Sequence, residues 1–205
     1  MRRFNRYIAA TAGVAAVMLL AAACGGGGTS SSGVFKGVSL TGAGATFPDP
    51  IYEQWFKDFR GVESSAKINY QAIGSGGGVQ QYTAGTVDFG ASDAPLKAEE
   101  IQAIKAKGLD VVEIPTVLGG VVIAYNVSGV DTGLKLDGVM AAGIFLGKIK
   151  IWSDPAISAL NPGASLPSTP IQVVHRSDES GTTKVFTSWL STESSDWASQ
   201  VGADK

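Results

Sequence analysis

Three glycine-rich turns of this 205-residue chain carry the residue types that bind anions through backbone and hydroxyl donors. Turn A spans residues 42–48, turn B 74–78 and turn C 176–183, and each separates a strand-like segment from a helix-like one. Small residues at such turns let backbone N–H groups approach a ligand, and the helix N-terminus adds the positive end of its dipole. Taken singly, each turn is simply a helix cap. Three of them in one chain favour a single converging anion site.

Two charged residues lie at the ends of predicted strands beside these turns, Arg176 and Asp93. The planar guanidinium of Arg176 can hold an oxyanion through two parallel hydrogen bonds, and Asp178 can orient it. A carboxylate such as Asp93 only accepts hydrogen bonds, so it tolerates an anion that carries a proton and repels one that does not. Phosphate keeps a proton near neutral pH and sulfate does not. The alternative interpretation is an exposed arginine and an aspartate at a helix start.

The overall composition excludes several functional classes. The formal net charge is −2, from 16 basic and 18 acidic residues, which is not the basic excess of a nucleic-acid-binding domain. One cysteine and one histidine exclude a multi-cysteine zinc site and a multi-histidine cage, so we expect no metal and no cofactor. The chain has 27 glycines, where ordinary usage would give about 14.

Residues 1–24 have the pattern of a lipoprotein signal peptide. A basic start is followed by an uncharged run from Tyr7 to Ala23, which is short for a transmembrane helix of about 20 apolar residues. Cys24 follows small residues, as in the lipobox of bacterial lipoproteins, and residues 25–33 form a Gly/Ser tether. We predict that Cys24 is acylated and anchors an extracytoplasmic protein to the cell membrane; the alternative is a plain secretory signal. Removing residues 1–24 takes three arginines and no acid, which leaves 13 basic and 18 acidic residues and a net charge of −5.

The apolar pattern beyond the tether predicts strands alternating with helices. Strands are predicted near 38–40, 67–73, 86–91, 111–117, 121–126 and 171–175, and helices over 51–59, 79–84, 98–107, 137–145 and 182–190. Such alternation predicts an α/β protein with a mostly parallel sheet.

Five of these segments, in this order, resemble the phosphate-binding proteins of bacterial phosphate ABC importers. They are TGAGATFP (41–48), GSGGG (74–78), FGASDAPL (89–96), IFLGKI (144–149) and HRSDESGTT (175–183). The resemblance implies a phosphate site formed by Thr46, Phe47, Ser75, Asp93, Arg176, Ser180, Gly181 and Thr182, with Asp178 supporting Arg176. Phe47 and Gly181 would supply backbone N–H groups, the hydroxyl residues would donate, and Asp93 would accept the proton of the phosphate. Glu179 departs from the family, which usually has glycine there.

The resemblance also implies a two-lobed periplasmic binding protein of the type II-like class, whose lobes close on the ligand about a hinge. Lobe I would begin with residues 34–115, and lobe II would comprise residues 116–205 and be incomplete at its C-terminal end. The implied function is high-affinity extracytoplasmic capture of inorganic phosphate and its delivery to the permease subunits of an ABC importer. We expect a monomer that is not an enzyme and does not bind nucleic acid.

The sequence is compatible with three alternative functions. One is a receptor for sulfate or another oxyanion, and another is a surface adhesin that uses the fold without its ligand. A phosphate-ester hydrolase is the third, but His175 is the only histidine, no G-x-S-x-G motif is present, and we expect His175 to pack at a strand end. Residues 143–148 resemble a P-loop, but the spacing is one residue too short, so the sequence does not support nucleotide binding.

Overall fold

The computed structural model of the protein describes residue 35 and residues 37–203. The predictions for the signal peptide, the acylation of Cys24 and the tether lie outside the described residues. Val38–Lys205 forms one compact unit of the chain. Among the described residues, no helix combines the length and apolar character needed to cross a membrane.

The first part of this unit is a small parallel sheet with helices between its strands. Its elements are β1 (Ser39–Gly44), α1 (Asp49–Val62), β2 (Lys67–Ala72), α2 (Ser75–Ala84), β3 (Phe89–Ala91) and α3 (Ala98–Ala106). β1 lies in the middle of the sheet, and both neighbours run parallel to it. Gly42 on β1 is in register with Tyr70 on β2 and Phe89 on β3. The α/β prediction with a parallel sheet is confirmed.

Glycine lets α2 pack directly on the sheet. A side chain at Gly78 would lie 2.7 Å from the carbonyl oxygen of Ala43 on β1, which is closer than carbon and oxygen atoms can approach. The helix begins at Ser75, four residues earlier than the sequence predicts. The glycines at 76–78 do not indicate a helix in the sequence, but in the structure they let the first turn of α2 pack against the strand ends.

The second part of the unit is helical. It contains α4 (Gly138–Phe145), α5 (Pro155–Leu160), α6 (Gly181–Glu193) and α7 (Ser195–Gln200). α4 contributes to two apolar clusters: Ala141 and Ala142 pack with Leu190 and Trp197, while the other cluster holds Met140, Ile144 and Ile157. Each of these helices begins at a side chain that accepts a backbone N–H, namely Asp137, Asp154, Ser180 and Ser194.

Three strand predictions are wrong in this structure. Residues 111–117, 121–126 and 171–175 do not form strands, and between residues 107 and 180 the described chain pairs only at two single bridges. A strand requires a neighbouring strand to satisfy its backbone N–H and C=O groups. Several apolar side chains of these segments are open to solvent, with Val112 80% and Val174 87% exposed. The boundary between lobes at residues 115 and 116 stays a prediction.

Candidate functional site

Turn C contacts residues that follow each of the three strands. The Arg176 Nη1 donates to Oγ1 of Thr46 after β1 at 3.0 Å, and the Gly76 N–H after β2 donates to the Glu179 carbonyl at 3.0 Å. The Thr182 hydroxyl donates to Oδ2 of Asp93 after β3, also at 3.0 Å. The three turns and the Asp93 segment thus meet in one place, as the sequence predicts.

The parallel sheet explains why the first three segments are neighbours. Parallel strands carry their carboxyl ends on the same edge, and the crevice outside that edge is where open α/β sheets bind ligands. The strand ends are tied together, because Ala45 N donates to Ala91 O at 2.9 Å and Ile73 N donates to Gly44 O at 3.0 Å. Residues that follow each strand therefore start from fixed positions around the crevice.

Tyr70 fixes the peptide that precedes Thr46. Its hydroxyl donates to the Ala45 carbonyl at 2.6 Å, and its ring lies edge-on to Tyr52 at 5.4 Å and stacks on Phe89 at 6.1 Å. Burial, followed by the nearby Tyr52 hydroxyl, raises the pKa of Tyr70 well above its usual value. A phenol is protonated at neutral pH even without this shift, so the hydroxyl acts as a donor there. Tyr70 is not among the residues predicted from the sequence, because its contact with Ala45 joins side chain and backbone 25 positions apart.

Ser75, Asp93 and Gly181 are closely packed in the site. Ser75 is buried at the start of α2, and its hydroxyl oxygen accepts the backbone N–H of Asp93 at 3.2 Å. A side chain at Gly181 would overlap the Ser75 hydroxyl and lie 2.8 Å from Cβ of Asp93. Only glycine lets the start of α6 come this close to the start of α2. The N-termini of α2 and α6, each with the positive end of its helix dipole, thus lie close together.

Arg176 is held by Asp178 in a two-pronged ion pair. The Nε of Arg176 donates to Oδ1 of Asp178 at 2.7 Å, and its Nη2 donates to Oδ2. The hydrogen bond with Asp178 raises the pKa of Arg176, and the same bond lowers the pKa of Asp178. Both side chains are partly exposed, 43% and 37%, so the pair adds little to stability. The ion pair instead orients the guanidinium, because it leaves Nη1 directed at Thr46.

Two further predicted site residues, Ser180 and Phe47, are placed differently. Ser180 is buried and caps α6, where its hydroxyl oxygen accepts the N–H of Thr183 at 3.4 Å. Phe47 is 45% exposed, and its ring lies so close to Gly119 that a side chain at Gly119 would overlap it. The expected contribution of Phe47 is a backbone N–H, which does not require its ring to be buried.

The chemistry that this arrangement supports is capture of an oxyanion. It offers a guanidinium, several hydroxyl groups and two helix N-termini as donors, together with one carboxylate acceptor, Asp93. The Thr182 hydroxyl on Asp93 makes the contact that a protonated oxygen of an anion would make. Among residue 35 and residues 37–203, no group of three histidine, cysteine or acidic side chains could hold a metal ion.

His175 is not placed as expected. It is exposed, it lies outside any strand, and its Nδ1 is 2.8 Å from the carbonyl oxygen of Arg176. The prediction that it packs at a strand end is therefore wrong, because the predicted strand 171–175 does not form. Its ring contacts a main-chain group and not a serine hydroxyl, which gives the hydrolase alternative no support.

Comparisons with known proteins identify a family. A family model described as a PBP superfamily domain matches residues 25–204. The phosphate-binding protein PstS of Haemophilus influenzae is 52% identical over 168 residues, which is 82% of this chain and 48% of that protein. PstS of Pasteurella multocida is 49% identical over 82% of this chain and 47% of that protein, and PstS of Methanocaldococcus jannaschii is 41% identical over 79% and 42%. The chain spans about half the length of the curated relatives it matches.

A solved structure shares the fold. It is that of a Clostridium perfringens protein described as a phosphate ABC transporter substrate-binding protein, and it contains bound phosphate. The TM-score is 0.57 at 26% sequence identity, over 80% of this chain and 60% of that chain. The likeness extends through both the small sheet and the helical part, since it covers four-fifths of the chain.

Proposed function

This chain belongs to the PBP superfamily of solute-binding proteins, and on that premise we propose that it captures inorganic phosphate outside the cytoplasm and delivers it to the permease subunits of an ABC importer. The observation that carries the proposal is turn C, which places a guanidinium, a hydroxyl and a helix N-terminus against the ends of three parallel strands. The identity to proteins named phosphate-binding protein PstS supports the same ligand.

Each predicted residue then has a role in holding phosphate. Arg176 supplies the positive charge, and Asp178 holds its fork in position. Asp93 accepts a hydrogen bond from the protonated phosphate oxygen, in the place where it now accepts the Thr182 hydroxyl. The remaining donors are the hydroxyl groups of Thr46, Ser75, Ser180 and Thr182 and the backbone N–H groups of Phe47 and Gly181.

The number of donors is sufficient for tight binding. Hydrogen bonds to charged groups contribute about 1.5–3 kcal/mol each, and a micromolar Kd requires about 8 kcal/mol net. The hydrogen-bond free energy beyond about 8 kcal/mol offsets the cost of dehydrating the anion and of ordering the turns around it. A protein that carries an excess of acidic residues can therefore bind an anion through local donors.

We also propose that the protein is a membrane-anchored monomer. The pattern around Cys24 supports a lipid anchor that keeps the protein at the outer side of the cell membrane, where a solute-binding protein meets its permease. A monomer is sufficient, because every proposed phosphate ligand belongs to the same chain. Sulfate is the second candidate ligand, and Asp93 is the residue that disfavours it.

Isothermal titration calorimetry on the full-length protein tests the proposed ligand. We expect phosphate to bind in a one-to-one ratio with micromolar or tighter affinity, and sulfate to bind at least tenfold more weakly at neutral pH, because Asp93 repels an anion without a proton. Equal affinities for phosphate and sulfate would show that Asp93 does not have this role. Turnover of a phosphate ester that disappears on His175→Ala would favour an enzyme instead.

A further inference from the structure

Glu179 is an acidic residue in turn C that contacts the start of α2. Its carbonyl oxygen accepts the Gly76 N–H at 3.0 Å, and its carboxylate oxygen Oε2 accepts a hydrogen bond from Nε2 of Gln80 at 2.9 Å. Gln80 and Glu179 are 99 positions apart in the chain. One residue of turn C therefore makes a main-chain and a side-chain bond to the same helix.

The first turn of α2 leaves room for this acid. A side chain at Gly76 would overlap both the carboxylate and Cβ of Glu179, so glycine at this position permits the contact. The carboxylate also lies beside the N-terminal turn of α2, where the helix dipole stabilises negative charge. These two features explain how a second acid is accommodated close to a site built for anions.

We propose that Glu179 and Gln80 form a clasp that positions turn C on α2 and slows the escape of the bound anion. The inference rests on the proposed function, since the anion is the phosphate held between these turns. The clasp joins α2, which carries Ser75, to turn C, which carries Arg176. The hydrogen bonds described for its side chains join Gln80 and Glu179 to each other. Glu179 and Gln80 are positioning residues, which act by keeping the donors of turn C and of α2 at a fixed separation.

A double-mutant cycle measures whether the two side chains act together. In Glu179→Ala and Gln80→Ala, we expect the dissociation rate of phosphate to rise about three- to tenfold, the change expected from one lost hydrogen bond. The association rate should change little, and the double variant should dissociate no faster than either single variant. Stopped-flow measurements on the full-length protein with a phosphate-displacement probe give both rates. Gln81→Ala is the matched control, because it shortens the neighbouring glutamine about 100° further round the same helix.

The Glu179→Gln variant distinguishes the effect of the hydrogen bond to Gln80 from the effect of the negative charge of Glu179. The glutamine oxygen can still accept from Gln80, so this variant should dissociate phosphate at nearly the rate of the original protein. A dissociation rate that falls in both Glu179→Gln and Glu179→Ala would mean that the acid acts by repelling the anion, and would overturn the clasp. Additive effects of Gln80→Ala and Glu179→Ala would overturn it as well.

Two results distinguish failure of the clasp from failure of the proposed function. If the original protein binds no phosphate, the proposed function is wrong. If it binds phosphate normally and both variants release phosphate at an unchanged rate, only the clasp is wrong. Amide hydrogen exchange at Gly76, whose N–H donates to the Glu179 carbonyl, reports on the contact without any anion. Glu179→Ala and Gln80→Ala should accelerate it by similar factors, and unchanged exchange in both would overturn the clasp.

Discussion

Replacing Arg176 with alanine should weaken phosphate binding by about 100-fold, the largest effect of any single substitution in the site. Asp178 accepts from Nε and from one N–H of Nη2, which leaves the other N–H of Nη2 and the two of Nη1 for the anion. Losing two charge-assisted hydrogen bonds at the lower end of their range costs about 3 kcal/mol. The variant also leaves the Asp178 carboxylate beside the anion without its partner. Calorimetric Kd values for phosphate measure the loss, and sulfate should weaken by a similar factor because the arginine does not distinguish the two anions.

Two substitutions serve as controls for the Arg176 prediction. Arg60→Ala removes the same charge from the last turn of α1 and should leave the Kd for phosphate unchanged within a factor of about two. Arg176→Lys keeps the positive charge but loses the planar guanidinium that makes two parallel hydrogen bonds. Its affinity for phosphate should therefore lie between those of the original protein and the alanine variant. An Arg176→Ala protein that binds phosphate as well as the Arg60→Ala protein would remove arginine from the proposed site.

Asp93→Asn should relax the selectivity for phosphate over sulfate by about tenfold or more, because a like charge facing an anion costs several kcal/mol. The neutral amide no longer repels a fully ionised oxyanion, so sulfate binding should strengthen. Phosphate should keep much of its affinity, since the amide oxygen still accepts a hydrogen bond. Competition between the two anions, measured as the ratio of their Kd values at neutral pH, gives the selectivity directly.

The selectivity change should be specific to Asp93. Asp58→Asn removes an equal charge from α1, where that carboxylate accepts a hydrogen bond from Gln54 at 2.8 Å, and it should leave the ratio unchanged. If Arg176→Ala relaxed the selectivity more than Asp93→Asn, the carboxylate would not be the discriminating group. The two substitutions therefore separate affinity from selectivity within one site.

The convergence of the turns could be predicted from the sequence, since the relevant signals are local. Glycine, serine and threonine at a strand end predict a turn that leads into a helix, and parallel strands bring such turns to one edge of a sheet. Thr46, Ser75 and Asp93 follow three strands of one sheet, and Arg176 and Thr182 contact that edge from turn C. The candidate site is thus predictable in its residue types and in the strands that carry them, while its ligand stays a proposal.

The errors arose where structure depends on contacts between distant residues. Apolar runs at 111–117 and 121–126 satisfy the sequence pattern of strands, but a strand also requires a partner, and the described part of the chain provides none. The contacts of Tyr70 with Ala45 and of Gln80 with Glu179 are side-chain contacts across 25 and 99 positions, for which a single sequence has no local signal. Glu179 departs from the family pattern in the sequence, and only the structure shows that its carboxylate has a partner on α2, Gln80.

A crystal structure of the full-length protein grown with phosphate tests the central claim most directly. We expect one phosphate between the three turns, with its oxygens hydrogen-bonded to Arg176, to the N–H of Gly181 and to the carboxylate of Asp93. Phosphate bound elsewhere on the protein, with the turns at Thr46, Ser75 and Arg176 unoccupied, would contradict it.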